Sequence, residues 1–164
     1  MQSGQIDAIS NLDPVITLLA RSGHLTVVSD TRNVEEAKAI FGGPMPGGCL
    51  YCPMSFIQKN PNTVQAMTNA MVRASQWIQR ASSADVIKAV PESYLLGDSA
   101  VYVEGFKAAQ KALSPDGRFA PGSADTALRA LASVDPKIGA AGLDLALVST
   151  NDFVNKANQT YPKG

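Results

Sequence analysis

Runs of like charge are missing from this chain. Its 164 residues carry 14 Lys+Arg and 14 Asp+Glu, a formal net charge of zero, and no basic cluster stands out. That removes the electrostatic reason for binding nucleic acid or an anionic membrane surface. Long apolar runs are missing too, since none approaches the ~20 residues of a membrane span. The N-terminus has no basic stretch followed by an apolar one, as a secretory signal would. Histidine occurs once, as His24, and aromatics make up 6%. No G-x-S-x-G, no H-E-x-x-H and no pair of carboxylates on one helix face is present. No enzymatic activity, catalytic residue, metal or cofactor is therefore expected.

Cysteine is also scarce: Cys49 and Cys52 form a single pair, GCLYCP. A C-x-x-C motif reads as a redox pair or half a zinc site. No second pair completes a zinc ligand set, and His24 lies far along the chain. A redox pair would open a helix directly after a strand, whereas Leu50 and Tyr51 look like alternating strand residues. Two ordinary small apolar thiols are the favoured reading, with redox and metal roles as the alternatives. His24, just after Gly23, reads as a solvated residue near a helix C-terminus rather than a catalytic one.

What is present is an uneven string of elements. In IDAIS (residues 6–10), Ile6, Ala8 and Ser10 alternate with Asp7 and Ile9, a strand-like period. Asp13 then offers an N-cap with Pro14 at the first helical position, Val15, Leu18 and Leu19 form an apolar face, and Gly23 ends the helix. Residues 25–29 are β-branched and apolar, reading as a second strand that runs into the polar loop SDTRN. FGGPMPGG (residues 41–48) follows, with four glycines and two prolines, and is neither helix nor central strand.

Everything beyond reads helical. Asn60 and Pro61 start the strongest periodic segment, with Val64, Met67, Met71, Ala74 and Ile78 as its stripe and Trp77 on its flank, a pattern that suits core packing. ADVIKAV is a short helix stopped by Pro91. Residues 98–113 form a capped amphipathic helix, followed by a turn with Asp116-Gly117 at its tip. Ser123 caps a further helix with Ala127, Leu128 and Leu131 on one face, and TNDFVNKANQTY closes the chain. Two strands hide neither their own edges nor both faces, so either the helical block or another chain must cover them.

The ordered set SGQIDAISNLDPVITLLARSG, LTVVSDTR, FGGPMP, FIQKNPNTVQAMTNAMVRASQWI, AVPESYLLGD and TNDFVNKA resembles the C-terminal half of periplasmic substrate-binding proteins. The resemblance is to the nitrate/sulfonate/taurine group of ABC transporters, whose family includes the fungal thiamine-pyrimidine synthase type. It implies an α/β fold, a partial lobe of the type 2 periplasmic-binding-protein class with a few strands followed by an α-rich block. Residues 1–41 would be the tail of the second α/β lobe, residues 42–52 a hinge or crossover, and residues 53–164 the α-rich part completing the first lobe. The implied function is capture of a small anion such as nitrate, a sulfonate or a taurine-like solute, for an ABC permease and without chemistry. The synthase branch depends on a cysteine-rich iron motif and histidines, which GGCLYCP and His24 do not supply. A stand-alone dimeric sensor or interaction module derived from the family is the alternative. The expected partners are a small-molecule ligand, the missing N-terminal half or a second copy, and the permease. The resemblance implies a periplasmic location. With no signal peptide seen, a complete gene product of this sequence would be cytoplasmic.

Six residues are candidate ligand contacts. Ser10, Asn11 and Asp13 stand where a strand hands over to a helix N-terminus, whose free N–H groups suit an anion, and in the family this turn faces the cleft. Asp13 reads equally well as a simple cap, while Ser10 and Asn11 are neutral donors. Asp30, Thr31 and Arg32 end the second strand, where open α/β sheets place ligands. Arg32 is suited to clamping an oxyanion, or to pairing with Asp30 or Glu35. Gly42, Gly43, Gly47 and Gly48 provide backbone freedom, since no P-loop lysine follows.

Overall fold

The computed structural model describes residues 3–23, 25–95 and 97–162; His24 lies outside them. The expected α/β fold is not formed. Among the described residues there is no β-strand, and the order is nine α-helices with two short 3₁₀ turns. A strand exists only when its N–H and C=O groups meet a neighbour's. Among the described residues, no backbone–backbone hydrogen bond involves residues 6–11, 25–29 or 44–52. Both runs are present as sequence, but among the described residues no backbone group pairs with them.

The helices begin largely where local chemistry requires. Helix α1 (Val15–Arg21) starts after Pro14, one residue later than the cap reading placed it. Asp13 nevertheless satisfies an orphan donor, accepting from the Thr17 backbone N at 3.1 Å. Helix α2 (Val34–Phe41), which periodicity did not reveal, is capped by Asn33 Oδ1 accepting from the Glu35 and Glu36 amides, and Gly42 closes it with φ 71°. After α3 (Met54–Lys59) comes α4 (Pro61–Ile78), with proline in its first turn as expected. Helix α5 (Ser83–Ala89) opens on a reciprocal capping box between Ser82 and Asp85. Asp98 caps α6 (Ser99–Gln110). Helix α7 (Ser123–Val134) is flanked by Gly122 at φ 82°, so Ser123 is its first residue rather than its cap. The short α8 (Pro136–Ala140) and the final α9 (Asp152–Thr160) complete the series.

These helices pack in small groups. Helix α9 lies on α4, α1 and α5 both lie on α6, and α2 and α8 lie on α7. Val64, Val72 and Ala157 are buried in the α4/α9 group, and Val86, Val101 and Val103 in the α5/α6 group. The α4/α9 seam is sealed by polar side chains. Gln76 donates to Asn158 Oδ1 at 3.2 Å and to the Tyr161 carbonyl at 2.9 Å, and Arg73 sits 5.2 Å from the Tyr161 ring centroid. The Asp116-Gly117 turn closes over it, held by Asn158 Nδ2 donating to the Asp116 carbonyl at 2.9 Å. Close approach also explains one glycine of the 41–48 stretch. A Cβ on Gly43 would stand 2.5 Å from Thr126 Oγ1 of α7.

The stripe expected to be the core of α4 is only partly so. The buried face is Val64, Thr68 and Val72, whereas Met67 and Met71 are 46% and 53% exposed. This belongs to a general shortage of burial. A folded monomer of 17.2 kDa exposes about 7,800 Å², yet this chain exposes 11303 Å². Replacing the fully buried Val72 by Ala should lower unfolding stability by about 2 kcal/mol. The same change at the exposed Val28 should cost no more than about 0.5 kcal/mol. Urea titrations of both variants check this, and equal losses would misplace the core.

Candidate functional site

Three of the six sequence candidates converge, and Arg32 is the centre. Its Nε and Nη2 donate to the two oxygens of Asp30 at 2.8 and 2.7 Å, a side-on bidentate pair. Its Nη1 donates to Asp13 Oδ2 at 2.8 Å. The remaining oxygen of Asp13 accepts from Thr17 Oγ1 at 2.6 Å. Arg32 was read as pairing with Asp30 or Glu35; it takes Asp30, adds Asp13 from 19 positions upstream, and leaves Glu35 to Lys38 at 2.9 Å. The charges are partly withdrawn from water, with side-chain exposures of 12% for Asp13 and 26% for Arg32.

The electrostatics follow from that geometry. Burial opposes the charge on Asp13, but hydrogen bonds from Thr17 and Arg32 and the guanidinium's charge outweigh it, and its pKa falls below the ordinary 3.8. Asp30 is lowered chiefly by its hydrogen bond from Arg32, against a burial penalty. The hydrogen bonds to Asp30 and Asp13 raise Arg32 further, so it stays cationic. The triad therefore carries one net negative charge.

Ser10, Asn11 and Thr31 do not join it. All three are exposed, and Asn11 Oδ1 is occupied by the adjacent Leu12 amide at 2.8 Å. Residues not anticipated do join. Thr17 supplies two donors to Asp13, and Gly105 of α6 forms the floor. A Cβ at Gly105 would lie 3.0 Å from both Cβ and Cγ of Asp13. A glycine inside an amphipathic helix costs about 1 kcal/mol against alanine, which was the available sign of a close approach there. The exposed ion pairs of Arg21 with Glu104 and Asp98, at 3.0 and 3.7 Å, tie α1 to α6 alongside but contribute little by themselves.

Beside the triad a groove of about 370 Å³ runs between the start of α2 and the end of α6, lined by Asp30, Arg32, Asn33, Val34, Glu35, Ala108 and Lys111. It presents both signs of charge. Arg32 has five N–H donors and gives three of them to Asp13 and Asp30. Lys111 pairs with no carboxylate among the described residues. Cys49 and Cys52 are free thiols, exposed and half-buried respectively. Among the described residues no group of three or more His, Cys, Asp or Glu converges as a metal site would require. No helix among them is long and apolar enough to cross a membrane.

Residues 1–90 match the model of the NMT1-like family. A solved structure of a protein from Bordetella bronchiseptica RB50 shares 52% sequence identity and superimposes with a TM-score of 0.93. The match covers 98% of this chain and 51% of that one, so this chain spans about half the length of the Bordetella protein. A comparison with curated proteins finds no match.

Two outcomes follow from the triad. Because Asp13 and Asp30 have folded pKa values below their unfolded ones, their stabilisation is full above pH ~4. It is lost as pH falls further, through the folded values. Arg32→Met should cost about 2 kcal/mol at neutral pH and flatten the acid limb of stability, read from urea midpoints between pH 2 and 6. An unchanged acid limb would remove the triad's role. Gly105→Ala should destabilise by about 1–3 kcal/mol through overpacking against Asp13, where an ordinary helix position would gain stability.

Proposed function

The chain belongs to the NMT1-like family, and on that premise we propose that it is part of a substrate-binding component of an ABC importer. It would capture a small solute for a permease in the periplasm, without chemistry of its own. Residues 42–52 would be the crossover between two lobes. The observation that carries the reading is that the family match over residues 1–90 takes in the whole triad and the α2 side of the adjoining groove.

The groove's charges select among the solutes. The amides of Glu35 and Glu36 at the start of α2 are already taken by Asn33. Acidic side chains crowd the same turn and disfavour a bare anion there. Nitrate would therefore find little. A zwitterion of the taurine type finds a partner for each end, its sulfonate toward Lys111 and the spare donors of Arg32, its ammonium toward Asp30 and Glu35.

NMR titration of the chain with taurine and with nitrate tests this. Taurine should shift the amides of residues 30–35 and of Lys111, nitrate should not, and Lys111→Ala should weaken the taurine response at least ~10-fold, about 1.4 kcal/mol. Taurine without effect on these amides at tens of millimolar would overturn the reading.

A further inference from the structure

We propose that Cys49 and Cys52 form a thiol–disulfide exchange site. The pair is oxidised by a small-molecule disulfide of the glutathione type, and its closure stiffens the segment that joins α2 to α3. The inference goes beyond the solute-binding reading and requires no solute.

The sequence argued against a redox pair because Leu50 and Tyr51 look like strand residues, and positions three apart on a strand face opposite ways. The structure removes that objection. Residues 49–52 form no helix, strand or turn, and among the described residues no backbone–backbone hydrogen bond involves residues 44–52. Tyr51, between the sulfurs, is 87% exposed and anchors nothing. Both cysteines are free thiols, Cys49 exposed and Cys52 half-buried. Among the described residues no group of three His, Cys, Asp or Glu includes them, so each sulfur has the other as its partner for bond formation.

Closure needs a bend, and the segment has room for one. Three extended steps of chain span about 10 Å, whereas a disulfide holds its Cα atoms about 4.4–6.8 Å apart. Residues 47–51 are all exposed, and a Cβ on Gly47 or Gly48 would meet nothing within 4 Å. The upstream end is fixed: Arg129 Nη2 donates to the Gly42 carbonyl at 3.1 Å, and Gly43 lies against Thr126 of α7. Residues 47–52 therefore absorb the bend while the helices stay in place. The difference in exposure sets the order of events. Cys49, its proton lost to solvent, attacks one sulfur of the small disulfide; that S–S bond breaks, a mixed disulfide forms on Cys49 and one thiolate leaves. Cys52, likewise deprotonated, attacks Cys49 Sγ and expels the second thiolate. Two protein thiols become one disulfide, and one small disulfide is reduced to two thiols.

Incubation of the reduced, folded chain with oxidised glutathione, followed by maleimide labelling and mass spectrometry, tests this. The chain should lose both reactive thiols and retain no glutathione. Cys52→Ser should hold one glutathione on Cys49, because nothing displaces it, and Cys49→Ser should react at least ~10-fold more slowly, since access limits the remaining thiol. On oxidation, NMR order parameters over residues 47–52 should rise toward the ~0.85 of rigid backbone, with Gly42 and Gly43 unchanged. A chain that stops at the mixed disulfide, joins to a second copy through its cysteines, or oxidises with no change over residues 47–52 would overturn the proposal. So would a Cys49→Ser variant that reacts as fast as Cys52→Ser. The taurine titration reads a different part of the chain, so either reading can fail while the other stands.

Discussion

Arg32 sits where three separate pieces of the chain must agree. Its guanidinium spans the carboxylate two residues before it and the one that precedes α1, and Asp13 rests on the bare backbone of α6 at Gly105. Remove the cation and two carboxylates face each other at a partly dry junction; add a methyl at Gly105 and Asp13 must shift to make room for it. The groove between α2 and α6 inherits its shape and its mixed charge from this arrangement, because Asp30 and Arg32 form part of its lining.

The other organising constraint is deficit. The α4/α9 group hides two valines and an alanine and the α5/α6 group three valines, and Met67 and Met71 face outward on a helix whose opposite side is well packed. Hydrophobic stabilisation scales with the apolar area removed from water, so a chain that hides this little apolar surface gains little from it.

Helix termini were legible in the sequence because capping is local. The Asp98 cap and the Asn60-Pro61 start are each decided within three residues of chain and stand as read, whereas the equally local Ser82/Asp85 box was not anticipated. Helix α2 escaped notice although Asn33, two glutamates and Gly42 mark its ends; loop-like neighbours on both sides masked it. Of the site, the Arg32–Asp30 pair was readable because the partners are two positions apart. Asp13 was recognised as a cap but not as a partner of Arg32, and Gly105 not at all, since those contacts join distant parts of the chain.

The sequence by itself determined the period of each segment, the ends of most helices, the family and the residue types available to the site. Only the tertiary structure decided that the two strand-like runs are not strands, that Met67 and Met71 are exposed, and that Arg32 is shared between two carboxylates. The physical reason is the same in each case. Periodicity and capping depend on neighbours along the chain, whereas a ladder, a buried face and a three-way ion contact depend on which distant groups arrive.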